Sequence, residues 1–371
     1  MSWLEVTLFV LSVTRSSCSK AESSRPTKRK LGSMGVADDR AANGVVLRND
    51  HLHVRVLPHE GARIASFFDT QANLEFLSQP SKPYRRPASL GLWDRFENSA
   101  CAGIDECLPS VGASGPETPG GPVPDHGDFW RLNWTVTAAS GNASVSLQAT
   151  GYSRPLLFEK HLYLHSSALE IHYRIRNLRD DPIPFLYALH PLFAIDPGDR
   201  IILPPEVSTL LVGYSRFERL GTLRSAVQWP KPEAVASAPD LSCIQPIAAS
   251  TADMLFTNPL SSGWCGLYRA CIGQGIALRF DTAKLPYLGL WLCYGGWPDD
   301  EMLSRQYAVA FEPTVAPWGM LSAAFENHQA PVLAARDTFE FTVLLERTGT
   351  RPMTYNEFAA RCYDGYSFSP L

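Results

Sequence analysis

Residues 132–149 read LNWTVTAASGNASVSLQA and carry the pattern that determines the fold class. Apolar residues occupy alternate positions on both sides of a Ser-Gly-Asn turn signal at 140–142: Leu132, Trp134, Val136, Val145, Leu147 and Ala149. A short Gly-containing turn between two alternating runs is typical of a β-hairpin. Strands that bury only one face show this alternation and belong to antiparallel sheets, whereas buried parallel strands are apolar throughout. The stretch therefore predicts two paired antiparallel strands.

The same period of two recurs along the chain, at residues 51–57, 169–175 and 339–343. The best helical pattern is short, over Asn356–Arg361, with Asn356 as its candidate cap. Gly, Pro and Asn turns separate the remaining segments, and no linker divides residues 42–350. These features predict an all-β protein built as one large antiparallel β-sandwich.

The composition supports a chain with a sizeable core. It has 371 residues, of which 45% are hydrophobic and 11% aromatic, and this argues against global disorder. The 33 Lys and Arg residues are outnumbered by 37 Asp and Glu residues, which gives a net charge of −4. This acidic balance argues against a nucleic-acid partner, because phosphate backbones bind basic surfaces. No run approaches the ~20 apolar residues that span a bilayer, so we expect no membrane partner.

Residues 1–41 are predicted to be a disordered N-terminal tail, and residues 42–371 the β-sandwich domain. Residues 14–39 are rich in Ser, Lys and Arg and have no apolar period. The apolar run Trp3–Val13 is interrupted by Glu5 and followed rather than preceded by cations, which makes a poor signal peptide. We therefore expect residues 1–33 to lie outside the fold and the protein to be cytoplasmic, with an exported form as the alternative.

The cysteines give no sign of a metal or redox motif. They are scattered and form no C-x-x-C pair: Cys18, Cys101, Cys107, Cys243, Cys265, Cys271, Cys293 and Cys362. Zinc and redox motifs need tighter spacing. We expect reduced thiols, as in other cytosolic proteins, and no chemistry that depends on cysteine.

Three short segments combine an ionisable residue with Gly, Pro or aromatic neighbours: DHGDFW at 125–130, LHPLF at 189–193 and FEPT at 311–314. In each segment the ionisable residue adjoins an apolar strand and a residue that interrupts regular pairing. This arrangement suits a side chain aimed into a cleft, and it also suits a buried polar residue satisfied by the backbone. The Gly- and Pro-rich stretch at 111–125 is predicted to be a long loop over such a site.

Together the three segments resemble motifs of the aldose 1-epimerase family. The family's H-G-x-x-W, H-P-x-F and E-P motifs match, in this order, His126, Gly127 and Trp130; His190, Pro191 and Phe193; Glu312 and Pro313. Four further segments are similar to the family's: Glu60–Ser66, Gly103–Pro109, Leu288–Trp291 and Gly295–Pro298. The resemblance covers roughly residues 42–347 and implies a galactose mutarotase-like β-supersandwich.

The resemblance implies an isomerase that interconverts the anomers of a free hexose or a related sugar. A base removes the proton of the anomeric hydroxyl while an acid protonates the ring oxygen, and the roles reverse on ring closure. By the resemblance, Glu312 is the base, His190 is the acid, and His126 holds the ring oxygen or shares the acid role. A carboxylate and an imidazolium suit these roles, because their ordinary pKa values leave both states reachable near neutrality. No metal, nucleotide cofactor or covalent intermediate is required.

The candidate sugar-binding residues are Asp105, Glu106, Arg95, Trp291 and Trp297. Leu192 replaces the tyrosine of the family's H-P-Y-F, and Arg95 is the nearest substitute for its Asn-Arg pair. A further aspartate of the family has no clear counterpart, and Asp253 is the candidate. Asp105 and Glu106 could equally lie in a solvated acidic turn, and Trp291 and Trp297 could be core residues.

Two other functions stay open at the level of the sequence. The first is a glycoside hydrolase or lyase that uses two carboxylates such as Asp105 and Glu312. The second is a non-catalytic carbohydrate-binding protein, which keeps the aromatic residues without a converging acid–base pair. The expected partner in the leading hypothesis is a monosaccharide, and we expect the chain to be a monomer or a homodimer.

Overall fold

The computed structural model describes residues 44–81, 91–92, 94–232, 239–349 and 351–364. The predicted tail at residues 1–41 lies outside these ranges and stays a prediction. The described residues form 21 strands: β1 Val45–Arg48, β2 Leu52–Leu57, β3 Arg63–Asp69, β4 Leu74–Glu75, β5 Gly103–Cys107, β6 Thr135–Ser140, β7 Ser144–Thr150, β8 Leu156–Leu164, β9 Ala168–Asn177, β10 Ile183–Pro184, β11 Ala188–Phe193, β12 Arg200–Ile202, β13 Thr209–Ser215, β14 Ala226–Gln228, β15 Thr251–Thr257, β16 Trp264–Arg269, β17 Gln274–Phe280, β18 Tyr287–Tyr294, β19 Tyr307–Thr314, β20 Val332–Leu333 and β21 Thr338–Thr348.

The strands form two large sheets in which all pairings are antiparallel. The eleven-stranded sheet has the order β1-β2-β3-β5-β11-β19-β18-β15-β13-β14, with β4 paired to β3. The eight-stranded sheet has the order β12-β16-β17-β21-β9-β8-β7-β6, and β10 pairs separately with β20. The predicted all-β, antiparallel supersandwich is therefore confirmed.

The two sheets pack face to face through one continuous core of buried apolar side chains. Leu189, Leu290 and Phe311 come from the eleven-stranded sheet, and Ile171 and Leu345 come from the eight-stranded sheet. Each of these side chains is at most 1% exposed. Burying one such side chain contributes about 1.5–3 kcal/mol, so the alternation seen in the sequence is a large part of what holds the sheets together.

The hairpin predicted at residues 132–149 is present as β6 and β7, which pair from Thr135 to Ser140. The backbone NH of Ala143 donates to the carbonyl of Ser140 and closes the turn at 3.0 Å. On β7 the predicted apolar positions are buried. On the other side of the turn Trp134 is buried, but Val136 is 41% exposed, because β6 is the edge strand of its sheet. The strand pairing was thus predicted from the sequence, but the burial of the edge strand was not.

Two α-helices lie within the described ranges, α1 at Leu321–Glu326 and α2 at Tyr355–Asp364. No helical pattern predicted α1, and α2 extends beyond the predicted Asn356–Arg361. The cap of α2 is Thr354 rather than Asn356: the NH of Glu357 donates to the Thr354 hydroxyl, and the Thr354 NH donates to the Glu357 carboxylate. Within the described residues, no helix is both long enough and apolar enough to cross a bilayer.

Candidate active site

The period of two along the central strands turns apolar residues inward and polar or aromatic residues outward. Leu189, Leu290 and Phe311 enter the core, and their chain neighbours His190, Trp291 and Glu312 line a cavity on the outer face of the eleven-stranded sheet. The cavity has a volume of about 410 Å³, within the range of small-molecule sites. It lies over β11, β19, β18, β15 and β13, which are interior strands, so a rigid sheet supports its floor.

His190 and Glu312 come from adjacent strands and meet in this cavity. Leu192 pairs with Ala310 between β11 and β19, and the same register places His190 opposite Glu312 two positions away. The Nε2 atom of His190 lies 3.6 Å from Oε1 of Glu312. The two candidate catalytic groups, 122 residues apart in the chain, are therefore neighbours.

Both groups are buried and keep unused hydrogen-bonding capacity. The side chains of His190 and Glu312 are 7% and 3% exposed. Among the described residues, Nδ1 of His190 and Oε2 of Glu312 have no hydrogen-bond partner. Buried polar atoms without a partner cost free energy, and in native proteins they call for an explanation such as a ligand or a catalytic role.

Burial also shifts the pKa values of the pair toward the neutral forms. It raises the pKa of Glu312 to about 8. Burial, reinforced by the nearby His126, lowers the pKa of His190 well below its ordinary value. Both shifts favour a neutral carboxyl and a neutral imidazole over the carboxylate and imidazolium that the expected roles require. The pair still carries one proton that it can transfer.

His126 approaches the same cavity from a tight turn. Its backbone has φ 58°, and Gly127 follows with φ 72°. A Cβ on Gly127 would lie 2.0 Å from the carbonyl oxygen of Leu108, so only glycine fits there. The turn places the His126 ring 5.1 Å from the His190 ring, measured between ring centroids. The H-G pair of the sequence motif therefore has a conformational reason.

Asp125 and Phe96 hold the His126 ring in place. Nδ1 of His126 lies 2.9 Å from Oδ1 of Asp125, and the ring stacks on Phe96 at 3.9 Å. Burial acts against ionisation of Asp125, but its contacts with His126 and the Phe96 NH outweigh this effect and lower the pKa of Asp125. The resulting carboxylate favours a proton on Nδ1 of His126. The role of Asp125 was missed at the level of the sequence, although it directly precedes His126.

The predicted aromatic residues form one wall of the cavity. Trp291 and Trp297 meet edge to face with ring centroids 6.1 Å apart. The Trp291 indole NH donates to Oε1 of Gln306 at 2.5 Å, which fixes the ring. Arg95 lines the rim and pairs with Glu97 at 3.0 Å, and 69% of its side chain is exposed. Trp291 therefore lines the cavity, and it also packs against a small buried cluster of Leu192, Ala308 and Ala310.

Glu106 lies outside the cavity, in the space between the two sheets. It is fully buried, and its carboxylate contacts Lys160 Nζ at 2.7 Å and the hydroxyls of Tyr173 and Tyr187 at 2.9 and 2.8 Å. All of its oxygens thus have protein partners, and a sugar cannot reach them. The alternation along β5 explains this position, because Glu106 pairs with the core residue Leu189. We therefore correct the sequence-based assignment of Glu106 to the sugar site.

Asp105 and Asp253 also do not line the cavity. Asp105 pairs with His190 across β5 and β11 but is only 3% exposed, and burial raises its pKa to about 7. Asp253 is fully buried and accepts hydrogen bonds from Ser215 at 2.6 Å and from Arg219 at 3.0 Å. The two carboxylates proposed for a hydrolase, Asp105 and Glu312, therefore do not share the cavity. Instead, sequence reasoning missed Tyr214 and Met254, which carry no motif and enter through strand register.

The stretch 111–125 behaves as the predicted loop at its two ends, where Val111 and Asp125 line the cavity. Between them, Ser114 and Val123 pair in an isolated bridge, and Arg154 donates to the carbonyls of Pro119 and Gly121 at 2.8 and 2.6 Å. Within the part of the chain that the structure describes, no group of three or more His, Cys, Asp or Glu side chains is placed to hold a metal ion.

Known proteins resemble this chain in structure and not detectably in sequence. Neither a protein-family model nor a curated protein matches the sequence. Among solved structures, a putative aldose 1-epimerase from Escherichia coli K12 is 14% identical with a TM-score of 0.59, covering 82% of this chain and 98% of that one. A galactose mutarotase related enzyme from Lactobacillus acidophilus is 16% identical with a TM-score of 0.59, covering 82% and 97%.

A galactose mutarotase-like protein from Lactobacillus casei gives similar values, with 15% identity, a TM-score of 0.59 and coverage of 82% and 99%. The likeness thus extends over nearly the whole of each relative. At these identities it establishes the architecture, and the chain has the galactose mutarotase-like fold. A fold of this kind can carry several activities, so the function depends on the residues of the cavity.

Proposed function

We propose that this chain is an isomerase of the aldose 1-epimerase type, which interconverts the anomers of a free hexose or a related sugar. One observation carries the proposal: His190 and Glu312 lie 3.6 Å apart in a cavity of small-molecule size, and each keeps a buried polar atom without a partner among the described residues. A non-catalytic sugar-binding protein would need the aromatic wall but not this pair.

The chemistry needs one proton shared between two groups. Sugar hydroxyls that donate hydrogen bonds to Glu312 stabilise its carboxylate, and His190 takes up the displaced proton. Glu312 then removes the proton of the anomeric hydroxyl while His190 protonates the ring oxygen. The bond between C1 and the ring oxygen breaks, and C1 becomes an aldehyde. Rotation about the C1–C2 bond presents the other carbonyl face, closure reverses both proton transfers, and no proton is exchanged with solvent.

His126 supports the acid side of the reaction in this proposal. Because Asp125 holds its Nδ1 at 2.9 Å, the ring keeps a fixed orientation beside His190. Because Asp125 engages Nδ1, the ring can donate to the ring oxygen of the sugar only through Nε2, and only when both ring nitrogens carry a proton. Trp291 and Trp297 supply apolar faces for the C–H groups of the sugar, as aromatic rings do in other carbohydrate sites.

Polarimetry tests the proposal directly. Freshly dissolved α- or β-anomers of a panel of aldoses relax slowly in buffer, and the purified protein should accelerate this relaxation for at least one of them. One positioned acid–base pair typically contributes about 10²–10⁴-fold. If the protein leaves the relaxation of all panel members at the buffer rate, the proposed activity is wrong.

A further inference from the structure

On the side of Glu312 away from His190, the sheet presents a glycine. Gly289 on β18 pairs with Glu312 on β19 and with Phe256 on β15, so these three positions form one row across the outer face of the sheet. Directly opposite residues of neighbouring strands have their Cβ atoms about 4.5–5.5 Å apart. Glu312 thus has His190 on one side and a position without a side chain on the other.

Met254 occupies the space that Gly289 leaves open. A Cβ added at Gly289 would lie 2.6 Å from Cε of Met254 and 3.2 Å from Cβ of Glu312, so the Met254 methyl group and the Glu312 side chain flank the same small space. Met254 comes from the adjacent row, where it pairs with Trp291, and its long unbranched side chain reaches diagonally across the sheet. Met254 is half-buried and also lines the cavity.

Phe256 closes the rest of this space. Its Cε1 would lie 3.4 Å from the same added Cβ, and its ring also packs on Gly213 of β13, where an added Cβ would meet Cε2 at 2.5 Å. Met254 and Phe256 therefore form an apolar wall beside Glu312, and neither side chain has a hydrogen-bond donor. The wall offers nothing to Oε2 of Glu312, which has no partner among the described residues. Phe256 does not line the cavity, so Met254 is the part of the wall that faces it.

We propose that Met254 is a positioning residue for Glu312: its thioether, seated over Gly289, confines the carboxyl group to the side of His190 and excludes water from the other side. This inference rests on the proposed function, in which the confined group is the base. A carboxyl group without water or donors on one side is stabilised in its protonated form, and burial accordingly raises the pKa of Glu312 to about 8. The pair of Glu312 and His190 then keeps its single proton up to this pH, as the reaction requires.

The ionisable side chains around Glu312 all stay in place when Met254 is substituted. Among the described residues they come from β5, β11, β18 and the turn that carries His126: Asp105, Cys107, His190, Tyr287, Asp125 and His126. On β15, Met254 and Phe256 carry no charge. A change in the ionisation of Glu312 on substitution of Met254 therefore comes from the wall.

Carbon NMR of the full chain, labelled with ¹³C at the glutamate carboxyl groups, tests the role of Met254. The resonance of Glu312 is the one missing from the spectrum of Glu312→Gln, and its titration needs no turnover. In Met254→Gln an amide donor replaces the methyl group, and in Met254→Ala the space opens to water. Both changes stabilise the carboxylate, so the titration midpoint of Glu312 should fall by at least about one pH unit.

Two control variants separate the wall from other effects. Met254→Leu keeps an apolar side chain of similar volume, and Met302→Gln makes the polar change at a side chain that is 83% exposed. Both controls should keep the midpoint of the parent protein. A midpoint that stays at the parent value in both Met254→Gln and Met254→Ala would overturn the inference.

The pH profile of activity then relates the wall to the reaction. For an aldose that the parent turns over, the fall of kcat/KM at high pH reports loss of the shared proton, so in Met254→Gln this fall should begin at least about one pH unit lower. A lowered midpoint with an unshifted profile would contradict the positioning role. A protein that turns over no aldose refutes the isomerase proposal, whereas unchanged NMR midpoints refute the role of Met254, so the two failures are distinguishable.

Discussion

Pro191 and Pro313 directly follow the two residues on which the proposed chemistry depends. Proline has no backbone NH, so it cannot donate to the ladder of a sheet. Between β11 and β19 the pairing is interrupted from Leu189 to Pro191 and resumes at Leu192. His190 and Glu312 thus face each other where the two strands are held least tightly by hydrogen bonds, and the H-P and E-P motifs have a backbone reason as well as a chemical one.

Glu312→Gln is the most direct test of the catalytic assignment. Glutamine keeps the shape of the side chain but cannot accept a proton, so the anomerisation rate should fall by about 10²–10⁴-fold. Sugar affinity, followed by quenching of tryptophan fluorescence from the cavity wall, should stay within a few-fold of the parent. The matched control Glu326→Gln, on the exposed end of α1, should change neither quantity. A Glu312→Gln protein with the parent rate would refute the role of Glu312 as base.

The raised pKa of Glu312 predicts a specific dependence of stability on pH. The folded protein holds the Glu312 proton up to a pKa of about 8, whereas the unfolded chain releases it near the ordinary glutamate value. Glu312 therefore contributes its full stability below the unfolded pKa and loses it as the pH rises through the folded pKa. The slope is at most ~1.4 kcal/mol per pH unit.

Urea unfolding at pH 5, 7 and 9 measures this effect. The free energy of unfolding of Glu312→Gln should increase relative to the parent as the pH rises, because the variant has no carboxyl to ionise inside the protein. Other buried carboxyls such as Asp105 titrate in both proteins, so the comparison isolates Glu312. A difference between the two proteins that stays constant over this range would show that Glu312 ionises as freely as it does in the unfolded chain.

At the scale of elements, the buried pair of Glu106 on β5 and Lys160 on β8 joins the two sheets at 2.7 Å. Both side chains are completely buried, and Lys160 also donates to the carbonyl of Ala62 at 3.0 Å. Removing one member of a buried pair leaves the other charge uncompensated. This contact therefore ties strand β8 to the sheet that carries the cavity, although neither residue reaches the cavity itself.

A double-mutant cycle tests this role. Glu106→Gln and Lys160→Met should each lower the free energy of unfolding by about 3–5 kcal/mol, since each leaves one buried charge unpaired. The double variant should be less destabilised than the sum of the two, because it leaves no such charge. Chemical denaturation of the four proteins gives the coupling. Additive effects of the two substitutions would mean that the pair contributes only through packing.

At the scale of the whole molecule, the described residues form one sandwich, and residues 1–41 are predicted to be a disordered tail. Deletion of residues 1–33 should leave the thermal midpoint of the full chain unchanged within about 2 °C, because this stretch has no periodic apolar face to add to a core. Differential scanning calorimetry of the two chains makes the comparison. A clearly lower midpoint after deletion would show that the stretch contributes to folding.

The sequence alone was sufficient for the fold class and for six residues that line the cavity: Arg95, His126, His190, Trp291, Trp297 and Glu312. Alternation is a local property, because successive side chains of a strand point to opposite faces, so antiparallel strands and their inward residues could be predicted without knowing which strands pair. His126, His190 and Glu312 stood out because each combines an ionisable group with a neighbouring Gly or Pro, which is also local information.

The partners of each strand could not be predicted in this way. Glu106 and Asp105 are adjacent in the sequence, but β5 pairs Glu106 with the core residue Leu189, and this places Glu106 between the sheets. Tyr214 and Met254 reach the cavity through the register of β13 and β15, which no motif signals. Burial, ion pairing and cavity shape arise from contacts between residues far apart in the chain, and these form only when the strands assemble into sheets.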